Sequence, residues 1–263
     1  MKRIKKILLK FKPILYYMKG KNLLNDPYYI DGRKKDKLER IKKPIRTEII
    51  NFILSQFKRE TCYLEIGVRN PAHNFNHIKA NLKYSVDPGI EFEENPVDFK
   101  LTSDDFFKNL YDNKILSSEI KFDIIFIDGL HLADQVDKDI INSMNFIKDD
   151  GFIVLHDCNP PTEWHARSEF SYVQSPALIN WNGTTWKAFL KWRCNSSIQS
   201  CCIDSDWGVG ILSKKHRIGQ NLEIKNQFYE YKDLEENREE YLNLMSFDHF
   251  KKLITNKTNH NIA

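Results

Sequence analysis

Short apolar runs that alternate with helical patterns are the feature that most constrains the fold of this chain. The clearest run, from Phe122 to Asp128, is continuously apolar over residues 124–127, as expected for a strand that is buried on both faces. Further runs occupy residues 62–67, 84–87, 97–101 and 152–157, and helical patterns fit residues 74–81, 104–111, 132–147 and 185–192, with Gly151 expected to end the third helix. Alternating strands and helices predict a parallel sheet that is covered by helices.

Two further runs, at residues 200–204 and 207–212, are separated only by Ser205 and Asp206. So tight a turn predicts an antiparallel hairpin. The segment Asp204-Ser205-Asp206 also resembles the metal-binding Asp-x-Asp of glycosyltransferases, but acidic residues are common in turns and the hairpin explains them better. We therefore expect five parallel strands followed by a hairpin.

Charge is distributed unevenly along the 263 residues. The formal net charge is +4, yet residues 1–46 contain 16 basic and 4 acidic side chains, a net of +12, so that residues 47–263 have a net charge of −8. This pattern predicts a basic N-terminal arm over residues 1–35, a main domain over residues 36–215 and a helical extension over residues 216–263. A solvated or partner-docked arm is favoured over a helix on a membrane surface, which has the same signature.

Several classes of protein are disfavoured by the sequence. No apolar run approaches the roughly 18 residues of a membrane-spanning helix, because Lys10 and Lys12 interrupt the most apolar stretch. The same lysines argue against a secretory signal. The 5 cysteines are odd in number and form no CxxC pair, which argues against a disulfide framework and a zinc cage. We therefore expect a cytoplasmic protein with reduced thiols.

Polar residues lie where the predicted strands end. Gly67 follows the first strand, Asp87 the second, Asp128 the fourth and Asp157 the fifth. In an open parallel sheet, ligands bind beyond the carboxyl ends of the strands. A glycine allows close approach of the backbone to a ligand, and an acidic residue after the second strand can accept both hydroxyls of a ribose. Because the chain has no GxGxxG, the expected cofactor has a ribose but no diphosphate, which disfavours NAD and flavin.

In these segments the chain resembles the class I S-adenosylmethionine-dependent methyltransferases. Residues 63–67 are similar to motif I, residues 86–88 to the ribose-binding acid and residues 102–107 to the adenine-binding segment. The resemblance implies a Rossmann-like α/β fold with a seven-stranded, mostly parallel sheet, a C-terminal antiparallel hairpin and helices on both faces. It also implies S-adenosylmethionine as cofactor, with contacts from Glu65, Gly67, Asp87, Ser103, Asp104 and Asp128.

Two of these assignments have alternatives. Motif I usually has one or two further glycines where this chain has residues 70–72 as Asn-Pro-Ala, so Arg69 and Asn74 are both candidates for the contact to the methionine carboxylate. Asp104 has a second interpretation as the N-cap of the helix that follows.

A narrower resemblance is to small bacterial methyltransferases that are found with surface-polysaccharide genes. The segments that carry it are residues 126–131, 154–160, 181–187 and 206–210. It implies methyl transfer to a hydroxyl of a sugar nucleotide or of a capsular or surface-polysaccharide precursor. A nucleic-acid methyltransferase that uses the basic arm is the less favoured alternative, and a noncatalytic docking module is another. A homo-oligomer and a peripheral membrane contact through the arm are also left open.

Methylation of a hydroxyl requires removal of its proton by a general base, by a metal that lowers the hydroxyl's pKa, or by both. In sugar O-methyltransferases that need a divalent ion, an Ile-Asp-Gly-x-His segment and a Glu-Asp pair supply the base and the metal ligands. By this resemblance, His131 is the catalytic base, Asp128 and Asp157 are metal ligands, and His156, which replaces the glutamate, is a third ligand. Two carboxylates with an imidazole suit manganese or iron at least as well as magnesium. The competing interpretation is that His156 packs in the core and that Asp128 only contacts the cofactor or caps a helix.

Overall fold

A seven-stranded sheet crosses the part of the chain that the structure describes. The computed structural model covers residues 11–255 except residues 93, 225 and 227. Its strands are β1 (Cys62–Ile66), β2 (Leu82–Val86), β3 (Phe122–Ile127), β4 (Ile147–Leu155), β5 (Gln199–Ile203), β6 (Val209–Ser213) and β7 (Leu244–Met245). Their order across the sheet is β2-β1-β3-β4-β6-β5-β7.

Strand directions confirm the predicted fold class. Strands β2, β1, β3 and β4 are parallel to one another, β6 is antiparallel to β4 and to β5, and β7 is parallel to β5. The antiparallel pair β5 and β6 is the hairpin expected from the Ser205-Asp206 turn. The fold is therefore a Rossmann-like α/β fold with a mostly parallel sheet and an antiparallel C-terminal hairpin.

Helices lie against both faces of the sheet. Along the described residues the helices are α1 (Lys12–Leu24), α2 (Pro27–Arg40), α3 (Arg46–Ser55), α4 (Ser103–Tyr111), α5 (Ala133–Phe146), α6 (Thr185–Arg193), α7 (Tyr231–Glu236), α8 (Arg238–Leu242) and α9 (Phe247–Thr255). The break between α2 and α3 contains Pro44, because a proline cannot donate the backbone hydrogen bond that a continuous helix needs there.

Strand β3 shows why both faces are covered. Ile125 and Ile127 pack in a core with side chains of α4, α5 and α6, whereas Ile124 and Phe126 pack in a second core with side chains of α3 and α9. Successive side chains of a strand point to opposite faces, so a continuously apolar run needs a helix layer on each side. The two cores fix the sheet and hold its strand ends in register.

The predicted strand over residues 97–101 is reduced to a single bridge between Val86 and Phe99. The segment runs beside β2, but the carboxylate of Asp98 accepts from the backbone N–H and the hydroxyl of Ser85, at 2.9 and 2.7 Å. A side chain therefore takes the place of a ladder carbonyl at this position. The seventh strand is instead β7, from the predicted C-terminal extension.

Two local predictions are wrong. The helix expected over residues 74–81 is replaced by two 3₁₀ turns, Pro71–His73 and Phe75–His77, with Asn74 between them outside the helical region at φ −144° and ψ −60°. Gly151 does not end a helix. It lies inside β4, because α5 ends at Phe146 and the backbone of Ile147 is already extended.

The terminal segments pack very differently from one another. Helix α1 has no buried residue, whereas α9 buries Phe250 and Ile254 against the sheet. Helix α2 buries Gly32, Asp36 and Glu39. Among the described residues, no helix combines the length and the apolar character that crossing a bilayer requires. The division of the chain at residues 35 and 215 stays a prediction.

Candidate active site

The carboxyl ends of β1, β3 and β4 lie side by side, because these strands are neighbours in the sheet. Gly67 follows β1 and has a positive φ of 88°, and a Cβ at this position would overlap the backbone carbonyl of Asp128. Only glycine permits both the conformation and the close approach. The role expected for Gly67 was close approach to a ligand. The structure shows that it lets the turns after β1 and β3 pack against each other.

Asp128, His131 and Asp157 form a compact cluster beyond these strand ends. The imidazole of His131 places Nε2 3.4 Å from Oδ1 of Asp128 and Nδ1 3.3 Å from Oδ2 of Asp157. Nδ1 also lies 2.8 Å from the backbone carbonyl of Trp181. Because a carbonyl oxygen only accepts, Nδ1 carries a hydrogen and Nε2 is the nitrogen that remains for chemistry.

The electrostatic coupling within this cluster is strong. Burial would lower the pKa of His131, but the carboxylates of Asp157 and Asp128 outweigh burial and raise that pKa to about 9. Burial would raise the pKa of Asp128, but the neighbouring His156 and Arg46 outweigh burial and hold that pKa well below its usual range. Asp128 is therefore ionised across the physiological range of pH.

His156 contacts the same two carboxylates from the other side. Its Nδ1 lies 3.1 Å from Oδ1 of Asp128 and 3.1 Å from Oδ2 of Asp157, and its Nε2 lies 3.0 Å from Nη1 of Arg46. The side chain of His156 is only 7 % exposed. Both ring nitrogens thus have partners within the protein. His156 is neither a plain core residue nor a side chain with a free nitrogen.

Arg46 and Asp206 belong to the site although the sequence did not assign either of them to it. Arg46 is the first residue of α3, and its Nη1 lies 3.2 Å from Oδ2 of Asp206 while its Nε lies 3.6 Å from Oδ2 of Asp128. The backbone N–H of Arg46 also donates to Asp206, at 2.7 Å. Burial would raise the pKa of Asp206, but the contacts with His156 and Arg46 outweigh burial and lower that pKa.

Asp206 is also the turn residue that the hairpin predicted, with a positive φ of 47°. The turn explanation is correct for its backbone but incomplete for its side chain. Asp204, the other acidic residue of the segment, accepts from Lys42 at 2.6 Å and from Asn159 at 3.1 Å. No sequence pattern marks Arg46 as a site residue, because it lies in a run of basic residues that a solvated arm explains equally well.

Asp128, His131 and Asp157 are the one group within the described residues that fits a metal ion, with ligand atoms within 4.8 Å of one another. A charged His131 donates from Nε2 to Asp128, whereas a neutral His131 with Nδ1–H directed to Trp181 would present its Nε2 lone pair to a cation beside that carboxylate. Metal-binding histidines commonly donate their other N–H to a backbone carbonyl in this way. These residues therefore fit a divalent cation, and their donor set suits manganese or iron.

The end of the loop between β4 and α6 covers this cluster. Asn182 donates from Nδ2 to Oδ1 of Asp157 at 2.9 Å, and the backbone N–H of Thr184 donates to the carbonyl of His131 at 2.8 Å. Gly183 has a positive φ of 61°, and a Cβ there would overlap the carbonyl of His131. The loop is thus fixed to both sides of the cluster.

Glu65, expected to contact a cofactor, is buried at 3 % exposure. Its carboxylate accepts from the hydroxyl of Tyr63 at 2.6 Å and from Nδ2 of Asn74 at 2.9 Å. Burial raises the pKa of Glu65 to about 7, against these two hydrogen bonds. Asn74 is buried as well and accepts from Thr47 at 2.6 Å. The other candidate for the methionine carboxylate, Arg69, is exposed and pairs with Glu91 at 2.8 Å.

The remaining predicted cofactor residues lie in two places. Asp87 is half-buried after β2, and its carboxylate accepts from the backbone N–H of Gly89 at 2.7 Å. Ser103 and Asp104 lie together at the start of α4, where both accept from Nε2 of Gln135, at 3.1 and 3.0 Å. The N-cap of α4 is Thr102 rather than Asp104, so the alternative role considered for Asp104 is wrong.

Residues 69–158 match a family model described as a methyltransferase domain. This stretch includes the ends of β2, β3 and β4. No curated protein matches the sequence.

Solved structures with a similar fold include several methyltransferases. A putative O-methyltransferase from Klebsiella pneumoniae is 10% identical, with 79% of this chain and 99% of that one covered and a TM-score of 0.43. An O-methyltransferase from Bacillus cereus in complex with SAH is 12% identical, with 72% and 90% covered and a TM-score of 0.40. The SAH-bound methyltransferase PaMTH1 from Podospora anserina is 13% identical, with 78% and 97% covered and a TM-score of 0.41.

Proposed function

We propose that this chain is an S-adenosylmethionine-dependent O-methyltransferase that acts on a hydroxyl of a sugar nucleotide or of a surface-polysaccharide precursor. The observation that carries the proposal is the cluster of Asp128, His131 and Asp157 at the strand ends, in a chain whose residues 69–158 match a methyltransferase domain. A base with paired carboxylates suits an alcohol acceptor, because an alcohol must lose its proton as it attacks the methyl group.

We expect the cofactor along the ends of β2, β1 and β3, the crevice where open parallel sheets bind ligands. Asp87 would bind the ribose hydroxyls, and Ser103 and Asp104 would flank the adenine. Gly67 and Asp128 would border the methionine part, and Glu65 would support it from below. The sulfonium of S-adenosylmethionine is positively charged, so the ionised Asp128 favours its binding close to His131.

Nε2 of His131 is the proposed proton acceptor. The hydrogen bond from Nδ1 to Trp181 keeps Nε2 directed toward Asp128. A divalent cation held by Asp128 and Asp157 would lower the pKa of the acceptor hydroxyl. With these two carboxylates neutralised by the cation, the interaction that raises the pKa of His131 would be lost. Nε2 would then accept a proton near neutral pH.

The experiment that tests this function is a mass-spectrometric screen of sugar nucleotides and oligosaccharides with S-adenosylmethionine and either Mn²⁺ or Mg²⁺. We expect one product that is heavier by a single methyl group and a matching amount of S-adenosylhomocysteine. S-adenosylhomocysteine formation with an amine acceptor, but with no hydroxyl acceptor, would contradict the proposal.

The basic arm supports a second candidate, methylation of a nucleic acid, because α1 is exposed and follows a strongly basic segment. Removing residues 1–25 leaves α2 in place and separates the two candidates. If nucleic acid is the acceptor, the truncated chain loses affinity for it and the steep salt dependence that phosphate contacts produce. If a saccharide is the acceptor, turnover is unchanged.

A further inference from the structure

A shallow cleft with a volume of about 300 Å³ lies in the loop between β4 and α6 and takes no part in the proposed methyl transfer. Two carboxylates, two aromatic rings and a guanidinium contribute to its lining, which consists of Glu163, Trp164, Arg167, Ser168, Glu169 and Tyr172. We refer to these six residues as the loop cleft. Its volume is at the lower end of the range for small-molecule sites.

Aromatic side chains form one wall of the loop cleft. The rings of Trp164 and Tyr172 are stacked, with centroids 5.8 Å apart and an interplanar angle of 18°. Tyr172 remains 56 % exposed. Tyr28 of α2 packs on Trp164 at 6.3 Å and donates its hydroxyl to Glu163 at 2.5 Å. Helix α2 thus orders the wall and also orients one of the two carboxylates.

Arg167 holds the backbone around the loop cleft in place. Its guanidinium donates to five backbone carbonyls of the same loop, those of Trp164, Glu169, Phe170, Leu178 and Asn180, at 2.6 to 3.2 Å. These bonds occupy its donors, and its single positive charge is outnumbered by the two exposed carboxylates of Glu163 and Glu169. An anionic phosphate is therefore disfavoured in the cleft.

We infer that the loop cleft binds a neutral sugar unit of the acceptor, an inference that rests on the proposed function. The C–H face of a sugar ring packs on an aromatic ring, and its hydroxyls donate to carboxylates, which are acceptors only. The indole N–H of Trp164 is also buried without an acceptor among the described residues. A nucleotide would place its phosphates near Glu163 and Glu169, which favours the neutral sugar over the nucleotide part of an acceptor.

The loop cleft is connected to the proposed base through Trp181. The indole N–H of Trp181 donates to the carbonyl of Arg167 at 2.6 Å, and the carbonyl of Trp181 accepts from Nδ1 of His131 at 2.8 Å. The rings of Trp181 and His131 are 5.3 Å apart. Trp181 thus contacts both a residue of the loop cleft and the proposed base.

Saturation-transfer NMR on the full chain tests this inference without a methyl donor. The probes are methyl glycosides of glucose, galactose and N-acetylglucosamine, with uridine and UMP as nucleotide controls. We expect saturation of at least one glycoside and at least a fivefold loss of that signal in Tyr172→Ala and in Glu169→Gln. Tyr16→Ala, at another exposed tyrosine, on α1, should retain the full signal.

Signals from no glycoside, or glycoside signals that Tyr172→Ala and Glu169→Gln leave unchanged, would overturn the inference. So would stronger signals from uridine or UMP that both substitutions abolish. If the methyl-transfer screen fails but the glycoside signals are retained, the proposed function is refuted and the inferred binding site still stands. When an acceptor is found, Tyr172→Ala should raise its KM severalfold at unchanged kcat, as expected for loss of binding that is uniform along the reaction.

Discussion

Nη1 of Arg46 lies 3.0 Å from Nε2 of His156. Nδ1 of His156 carries a hydrogen in either protonation state, because a neutral ring accepts from the guanidinium at Nε2 and a charged ring has a hydrogen on both nitrogens. Nδ1 is 3.1 Å from both Asp128 and Asp157, to which it donates. In either state His156 cannot offer a lone pair to a metal at the same carboxylates. The geometry therefore favours His131 over His156 as the imidazole that faces a cation, and His156 as the residue that positions the carboxylates.

Replacing Arg46 by methionine is expected to destabilise the fold by about 3 kcal/mol, because it leaves the partly buried Asp206 and Asp128 without their cation. Arg46→Lys keeps the charge but loses the simultaneous contacts to His156 and Asp206. Its free energy of unfolding should therefore lie between those of the parent chain and Arg46→Met. Urea denaturation measures the free energy of unfolding.

A double-mutant cycle separates the pair from its surroundings. Arg46→Met combined with Asp206→Asn should be clearly more stable than the sum of the two single changes predicts, because the double variant leaves no unpaired charge at this contact. Additive effects would show that the contact between Arg46 and Asp206 contributes nothing to folding.

The strand-end residues of the site could be predicted from sequence, whereas Arg46 and Asp206 could not. Asp128 and Asp157 follow apolar runs, and the ends of parallel strands meet at one edge of a sheet. Arg46 reaches His156 across 110 positions of sequence, through the packing of α3 on the sheet. No local pattern encodes that contact. Asp206 belongs to an Asp-x-Asp segment that resembles a metal-binding motif, but the backbone requirement of a turn explained the same residue.

Local side-chain bonding explains the two places where periodicity predicted the wrong element. Asp98 bonds the backbone of Ser85 and replaces part of a ladder, and Asn74 bonds Glu65 and Thr47 between two short turns. Asn and Asp compete with regular backbone pairing in this way. A hydrophobic pattern contains no information about such bonds, because they depend on which partner the fold places nearby.

Gly183→Ala should lower both stability and turnover. A Cβ at Gly183 would overlap the carbonyl of His131, and the positive φ of 61° adds a cost of about 1 kcal/mol for a residue with a Cβ. The loop would move away from His131, which would weaken the bond from Nδ1 to Trp181. Gly20→Ala is the matched control, since Gly20 lies in α1 with open space around it and alanine should stabilise a helix. Equal melting temperatures for the two variants would contradict this assignment.

Stability should fall with acid through His165, which is buried and contacts Asp36 of α2 at 3.2 Å. Burial lowers its pKa from 6.5 to about 4, against the effect of Asp36. The unfolded chain then binds a proton at a higher pH than the folded chain. The free energy of unfolding is therefore highest above pH 6.5 and decreases as pH falls toward 4, by on the order of 3 kcal/mol in total.

His165→Asn removes this titration, so its free energy of unfolding should vary less than that of the parent chain between pH 6.5 and pH 4. Chemical denaturation across this range measures the difference. His77→Asn, at an exposed histidine, should retain the pH dependence of the parent chain. If His165→Asn and the parent chain lose stability in parallel, the acid sensitivity arises elsewhere.

Mn²⁺ should bind the protein in the absence of any substrate, and electron paramagnetic resonance of free Mn²⁺ measures the affinity. We expect Asp128→Asn and Asp157→Asn each to weaken binding by at least tenfold, since each removes a charged oxygen ligand. Asp149→Asn should bind like the parent chain, because the side chain of Asp149 is 95 % exposed. Equal affinity in all three variants would exclude this cluster as the metal site.

His131→Ala tests the proposed base directly. Loss of a general base typically reduces kcat by about 10²- to 10⁴-fold. S-adenosylhomocysteine affinity, measured by calorimetry, should stay within about threefold, because most of the proposed cofactor contacts come from the ends of β2 and β1 and the start of α4. His249→Ala, at an exposed histidine of α9, should leave both quantities unchanged. Mn²⁺ affinity distinguishes the two roles of Nε2, since a base can be removed without loss of metal whereas a ligand cannot. Full turnover in His131→Ala would refute the base assignment, and loss of Mn²⁺ in that variant would make His131 a ligand instead.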